Sequence, residues 1–62
     1  MPIVHIYLLK GRSQEKLKQL IKNVTKTISE SLEVDPQRVT VVLHELPPEN
    51  WAKGGITLKE QK

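Results

Sequence analysis

The sequence predicts an α+β fold: a βαβ protomer with parallel strands, a crossover helix and a C-terminal hairpin, assembling into oligomers. Three observations predict it. Two short runs rich in Ile, Val and Leu flank one long segment with helical periodicity. Both runs are apolar on alternate residues of either parity, yet only one helix is available to cover them. The 62 residues include no cysteine, so a core this small cannot be stapled by disulfides and must find extra burial in partner subunits.

The first run is 2–9, Pro-Ile-Val-His-Ile-Tyr-Leu-Leu, in which five of eight residues are Ile, Val or Leu. This composition predicts a strand. Lys10, Gly11 and Arg12 break it, and Ser13 is placed to cap a helix, with Glu15 in the first turn. From Gln14 to Leu32 the apolar residues are Leu17, Leu20, Ile21, Val24, Ile28 and Leu32, one stripe of an amphipathic helix. Lys18, Lys22 and Lys26 mark its polar side. Asp35-Pro36 ends the helical region, because the residue before proline avoids the helical basin.

Val39 to Leu46 reads as a second strand, terminated by Pro47-Pro48. Trp51 and Gly54-Gly55 follow, then Ile56-Thr57-Leu58, which can close a small hairpin. The polar tail 59–62 is expected to fray. A 19-residue crossover helix joins parallel neighbours in a right-handed unit. In the first strand Val4, Ile6 and Leu8 share one face and Ile3, Tyr7 and Leu9 the other. One helix covers one face, so the other is expected to meet a second copy.

Composition narrows the partners. Ten Lys and Arg against seven Asp and Glu leave a net charge of +3, which suits small anionic ligands. The lysine row lacks interleaved aromatics, since Tyr7 and Trp51 are the only two, and it reads as a solvated helix face; no nucleic acid partner is expected. No stretch approaches the ~20 apolar residues of a membrane span, and no h-region follows a basic start, so neither a membrane partner nor a signal peptide is expected. The absence of cysteine fits a cytoplasmic location.

Pro2 is the first candidate for chemistry. Removal of Met1 exposes its nitrogen as a secondary amine, with an ordinary pKa near or above the ~8 of an α-amino group. Apolar burial and nearby cations disfavour the charged form and free the lone pair to act as a base. Arg12, in the turn after the first strand, can hold a carboxylate through two parallel bonds. His5 and His44 lie on different strands, with no further ligand at metal spacing and no Ser or Cys partner; no metal site, other cofactor or nucleophilic triad is expected. Glu45 is the one acid of the second strand.

These features together resemble the 4-oxalocrotonate tautomerase family. The match rests on Met1-Pro2-Ile3, Gly11-Arg12-Ser13 opening the helix, Ile28-Ser29-Glu30-Ser31-Leu32, Glu45 closing the second strand, and Trp51 before Gly54-Gly55. It implies a single tautomerase-like domain over 1–62, dimers built through the sheet, and a homohexamer of dimers. It implies an isomerase in which amino-terminal Pro2 moves a proton in a 2-hydroxydienoate or enol acid, giving the α,β-unsaturated ketone. Arg12 from a neighbouring chain looks like the family arginine that binds a substrate carboxylate. Trp51 takes the place of an aromatic pocket wall, usually phenylalanine.

One departure stands out. The family enzyme acting on 4-oxalocrotonate has a second arginine in the second strand, where this chain has Thr40. If the strand runs back through Arg38, that side chain shares a face with Thr40 at roughly 7 Å and partly supplies the missing charge; otherwise Arg38 ends the Asp35-Pro36 turn in solvent. Two other functions are compatible with the residues. One is a hydratase or dehalogenase using Pro2 with Glu45 to activate water. The other is a non-enzymatic module whose lysine row meets an acidic partner.

Overall fold

The computed structural model describes residues 2–61. Its elements are β1 (Ile3–Leu9), α1 (Gln14–Leu32), a 3₁₀ turn (Pro36–Arg38), β2 (Thr40–Leu46), a second 3₁₀ turn (Pro48–Asn50), and a hairpin of β3 (Ala52–Lys53) and β4 (Ile56–Thr57). β1 and β2 pair in parallel, from Ile3 opposite Thr40 to Leu9 opposite Leu46. The βαβ unit and the C-terminal hairpin therefore stand as the sequence implies.

Local chemistry explains the boundaries. Ser13 is extended (φ −68°, ψ 153°) and its Oγ accepts from the Lys16 N–H at 3.2 Å, satisfying one free donor of the helix start. The helix closes on Glu33 in the left-handed region (φ 56°, ψ 48°), and the Ser29 hydroxyl donates to the Val34 carbonyl at 2.6 Å. Asp35 then caps the 3₁₀ turn by accepting from the Gln37 N–H at 2.9 Å. In the hairpin, Lys53 opposes Ile56, leaving a two-residue turn of Gly54 (φ 60°) and Gly55 (φ 84°). Two successive positive φ values are what a type I′ turn demands, and glycine adopts them without steric cost.

Three expectations need correction. β1 begins at Ile3 rather than Pro2, although the Pro2 carbonyl still accepts from the Thr40 N–H at 3.0 Å. β2 begins at Thr40 rather than Val39, because the Val39 N–H turns back to the Pro36 carbonyl at 3.1 Å. Arg38 is thus the last residue of the 3₁₀ turn, and it does not share a strand face with Thr40. The tail does not fray through Gln61. The Glu60 carboxylate accepts from the Thr57 hydroxyl at 2.7 Å, and the Gln61 amide donates to the Ile56 carbonyl at 3.2 Å. Lys62, the last residue of that expectation, lies outside the described residues.

The sheet has two unlike faces. Val4, Ile6 and Leu8 are half-buried, whereas Ile3, His5 and Tyr7 are exposed. The helix therefore lies over the first set, with Val41, Leu43 and Glu45 beside them in register. The open face carries Ile3, His5 and Tyr7 together with Thr40, Val42, His44 and Leu46. Ile3 is 56% and Tyr7 60% exposed. Among the described residues only Leu17, at 2% exposure, is fully buried.

The dimensions agree. The chain exposes 5069 Å², about 1,000 Å² more than the ~4,100 Å² expected of a self-contained globule of this mass. Its radius of gyration is 14.7 Å, against ~11 Å for a compact chain of this length. It is a slab of 43 × 25 × 13 Å, one helix on two strands.

Candidate active site

Parallel pairing sorts the candidate residues to two ends of the sheet. The N-terminal ends of β1 and β2 bring together Pro2, Thr40 and Arg38. Pro2 is half-buried, and its carbonyl is held by the Thr40 backbone, which fixes the ring at the start of the strand. Thr40 pairs with Ile3 on the open face and is exposed. Arg38 stands at the same end but approaches from the 3₁₀ turn rather than from the strand face, and it too is exposed.

Arg12 and Trp51 occupy the other end. Arg12 follows β1 and donates from Nη1 to the Leu9 carbonyl at 3.0 Å, leaving the outer edge of an exposed guanidinium to solvent. Trp51 follows β2 and is half-buried in a groove shared with Tyr7, Leu46, Asn50 and Ala52. Its carbonyl accepts from the Leu58 N–H at 2.7 Å, which ties the hairpin back to this point. Glu45 also lies toward this end, opposite Leu8 on the helix-covered face.

Roughly 20 Å of strand therefore separates Pro2 from Arg12, beyond the reach of one arginine side chain. Within one chain the structure brings Pro2, Thr40 and Arg38 together, and it does not bring Arg12 or Trp51 to them. A pocket holding both groups requires two chains, placed so that the C-terminal end of one sheet meets the N-terminal end of another.

The register also assembles a group that the sequence reading kept apart. His5 Nδ1 and His44 Nε2 are 2.8 Å apart on the open face. The Tyr7 ring stacks on His44 with centroids 4.4 Å apart and an interplanar angle of 13°. The two histidines are 39 positions apart in sequence, so only the register of β1 on β2 reveals the pair.

Fold and site together define a class: a thin βαβ chain that carries a proline at the head of its first strand and leaves one apolar sheet face uncovered. Comparison with known proteins agrees. The family model described as Tautomerase enzyme matches residues 2–61. The chain is 40% identical to 2-hydroxymuconate tautomerase of Comamonas testosteroni over 97% of its own length and 95% of that protein's. It is 39% identical to a probable tautomerase of Lactiplantibacillus plantarum, covering 100% of this chain and 97% of that one. Its fold superposes with a TM-score of 0.90 on a heterohexamer 4-oxalocrotonate tautomerase from Chloroflexus aurantiacus, at 29% identity and with all of both chains covered. The chain belongs to the tautomerase family.

Proposed function

We propose that this chain is an isomerase that moves a proton in 2-hydroxydienoate or enol acids, with the amino-terminal nitrogen of Pro2 as general base. The observation that carries the reading is the position of Pro2. It heads β1, is half-buried, and is held through its carbonyl by the Thr40 N–H. Removal of Met1 gives Pro2 a free secondary amine, whereas a retained Met1 locks that nitrogen in an amide with no basicity.

In the proposed reaction the neutral prolyl nitrogen takes a proton from the substrate. As the ammonium it returns a proton to a carbon further along the conjugated system, giving the α,β-unsaturated ketone. Arg12 from a neighbouring chain holds a substrate carboxylate through two parallel bonds. Trp51, also from another chain, supplies an apolar wall, which keeps water from the nitrogen and disfavours its charged form. The ~20 Å between Pro2 and Arg12 within one chain supports a shared site, and a homohexamer of dimers is the assembly proposed. The name of the Comamonas testosteroni relative supports 2-hydroxymuconate as a substrate to try first. Thr40 offers a neutral hydrogen bond where a second cation would meet a dicarboxylate, so monocarboxylate enols are proposed as the better substrates. Arg38 stands at the Pro2 end without a strand position from which to replace that charge.

Intact-mass measurement paired with an enol-acid assay tests the reading. Correctly processed protein should ketonise enol acids, and Pro2→Ala should lower kcat/KM by ~10²-fold or more. Full activity in protein that retains Met1 would overturn the assignment. Thr40→Arg should raise turnover of 2-hydroxymuconate relative to monocarboxylate enols.

A further inference from the structure

We infer that the His5–His44 pair makes assembly acid-sensitive: neutral, it allows a second copy of the chain to cover the open face, and protonated, it opposes that contact. The inference rests on the assembly proposed above and adds a regulation to it. His5 opposes Val42 and His44 opposes Tyr7, so the histidines are diagonal neighbours on one face of adjacent parallel strands. His5 Nδ1 and His44 Nε2 are 2.8 Å apart, and the ring centroids are 5.1 Å apart. The centroid distance is the nitrogen separation plus a ring radius at each end, so the rings meet head-on. With 22° between their planes they share one nearly straight hydrogen bond. The Tyr7 ring lies flat against His44 at 4.4 Å and limits its rotation.

Head-on geometry fixes where protons go. In the neutral pair one N–H donates to the bare nitrogen of the other ring. A further proton binds the outer nitrogen of the donor ring; the bond survives, now charge-assisted, and the pair becomes a cation. One more would set two N–H groups against each other and break it. Nothing on this face offsets the charge. Its other residues are Ile3, Tyr7, Thr40, Val42 and Leu46, with no carboxylate among them. The Trp51 groove beside Tyr7 adds only the uncharged Asn50 and Ala52. At the opposite end stand Arg38 and the freed amino group of Pro2, which are cationic when charged. Glu45 lies on the helix-covered face with α1, and Glu49 is exposed on the second 3₁₀ turn. In the free chain His5 is exposed and His44 half-buried, so water solvates the added charge. Beneath a second copy it is a buried charge without a partner, which is heavily penalised. The free chain therefore binds more protons than the assembled one, so assembly weakens as pH falls. Histidine ordinarily changes charge between about pH 8 and pH 5, which sets the window. Each proton taken up on release shifts the association constant about tenfold per pH unit.

The experiment follows the mass of the full-length chain, with Met1 removed, by light scattering at micromolar concentration from about pH 8 to pH 5. The parent should hold the assembled mass at the alkaline end and fall to dimers or single chains toward the acid end. The double variant His5→Gln/His44→Phe has no titrating group at the pair and keeps a ring against Tyr7, so it should hold its mass throughout. Dilution calorimetry of the parent in two buffers of unlike ionisation enthalpy should show about one proton taken up per chain released, a readout that holds even if the variant fails to fold. A parent that stays assembled at the acid end overturns the acid sensitivity and leaves the assembly standing. Parent and variant that dissociate together place the titrating group elsewhere and overturn the inference as well. A parent that is a single chain at the alkaline end removes the assembly itself, and the inference with it.

Discussion

The two faces of the β1–β2 sheet are built from similar residues and meet different fates. On one, Val4, Ile6 and Leu8 lie half-buried beneath α1, whose Leu17 is fully buried. On the other, Ile3 and Tyr7 are more than half exposed, flanking the His5–His44 pair. The difference is not hydrophobicity alone, since Ile3, Val42 and Leu46 on the open face are as apolar as Val4, Ile6 and Leu8 on the covered one. It is geometry: one helix spans one face of two strands. The lesson is that this chain's core is unfinished. About 1,000 Å² of surface beyond that of a self-contained globule remains open, comparable to one partner's share of a standard protein interface.

The comparison breaks most visibly at Leu17. Its truncation to alanine removes the one fully buried side chain among the described residues and should cost ~2–5 kcal/mol. A chain of this length has roughly 3–9 kcal/mol of stability in all, so about half of it should be lost and the urea midpoint should fall by a similar fraction. Urea unfolding followed by circular dichroism measures it. A cost under ~1 kcal/mol would mean that the covered face is not where the stability resides.

Tyr7→Asp strikes the opposite face. A carboxylate there is harmless in a free subunit but costly when that face is covered, because an unpaired buried charge is heavily penalised. Light scattering should find the parent near six times the chain mass and Tyr7→Asp at one or two. An unchanged mass for the variant would show that the open face is not the interface.

Glu33 offers a test with the opposite sign. It is the one non-glycine residue with positive φ among those described, and it is exposed at the helix C-terminus. A left-handed conformation costs an ordinary residue about 1 kcal/mol, whereas glycine adopts it freely. Glu33→Gly should therefore raise stability by up to ~1 kcal/mol in the same urea assay, with the assembly unaltered. Destabilisation would imply that the Glu33 side chain has a partner in the assembled protein.

The smallest effect belongs to the hairpin, outside both faces. The Thr57 hydroxyl and then the Thr57 backbone N–H donate to the Glu60 carboxylate, which holds it below the ordinary value of 4.5. A carboxylate with a lowered folded pKa contributes at pH above its unfolded value, and the contribution fades as pH falls through the folded value. The Thr57 amide resonance should therefore titrate with a midpoint below 4.5, while global unfolding is little changed at neutral pH. A midpoint at or above the ordinary value would remove the bond from solution.

Much of the chain is legible locally. The helix runs over Gln14–Leu32 as its periodicity implies, because the Ser13 cap and the Asp35-Pro36 stop are signals read within a few residues. The type I′ turn at Gly54-Gly55 is equally local. The strand starts were less legible. Nothing in Val39 announces that its N–H turns back to Pro36, so the strand loses Val39 and Arg38 stays in the turn. The polar composition of Glu60 and Gln61 likewise hides their bonds to the hairpin.

By itself, then, the sequence determined the kind and order of the elements, the proline at position 2 ahead of the first strand, and the excess of apolar strand surface over helix available to cover it. These follow from periodicity, capping and counting, all of which are properties of neighbouring residues. Only the tertiary structure decided the register of β1 on β2. That register sets Thr40 against Ile3 beside Pro2, and it sets His5 against His44 across 39 positions of chain. Register depends on how a whole helix packs back over the sheet. A shift of one residue would turn β2 over and send His5 and His44 to opposite faces, and no local pattern records which alignment wins.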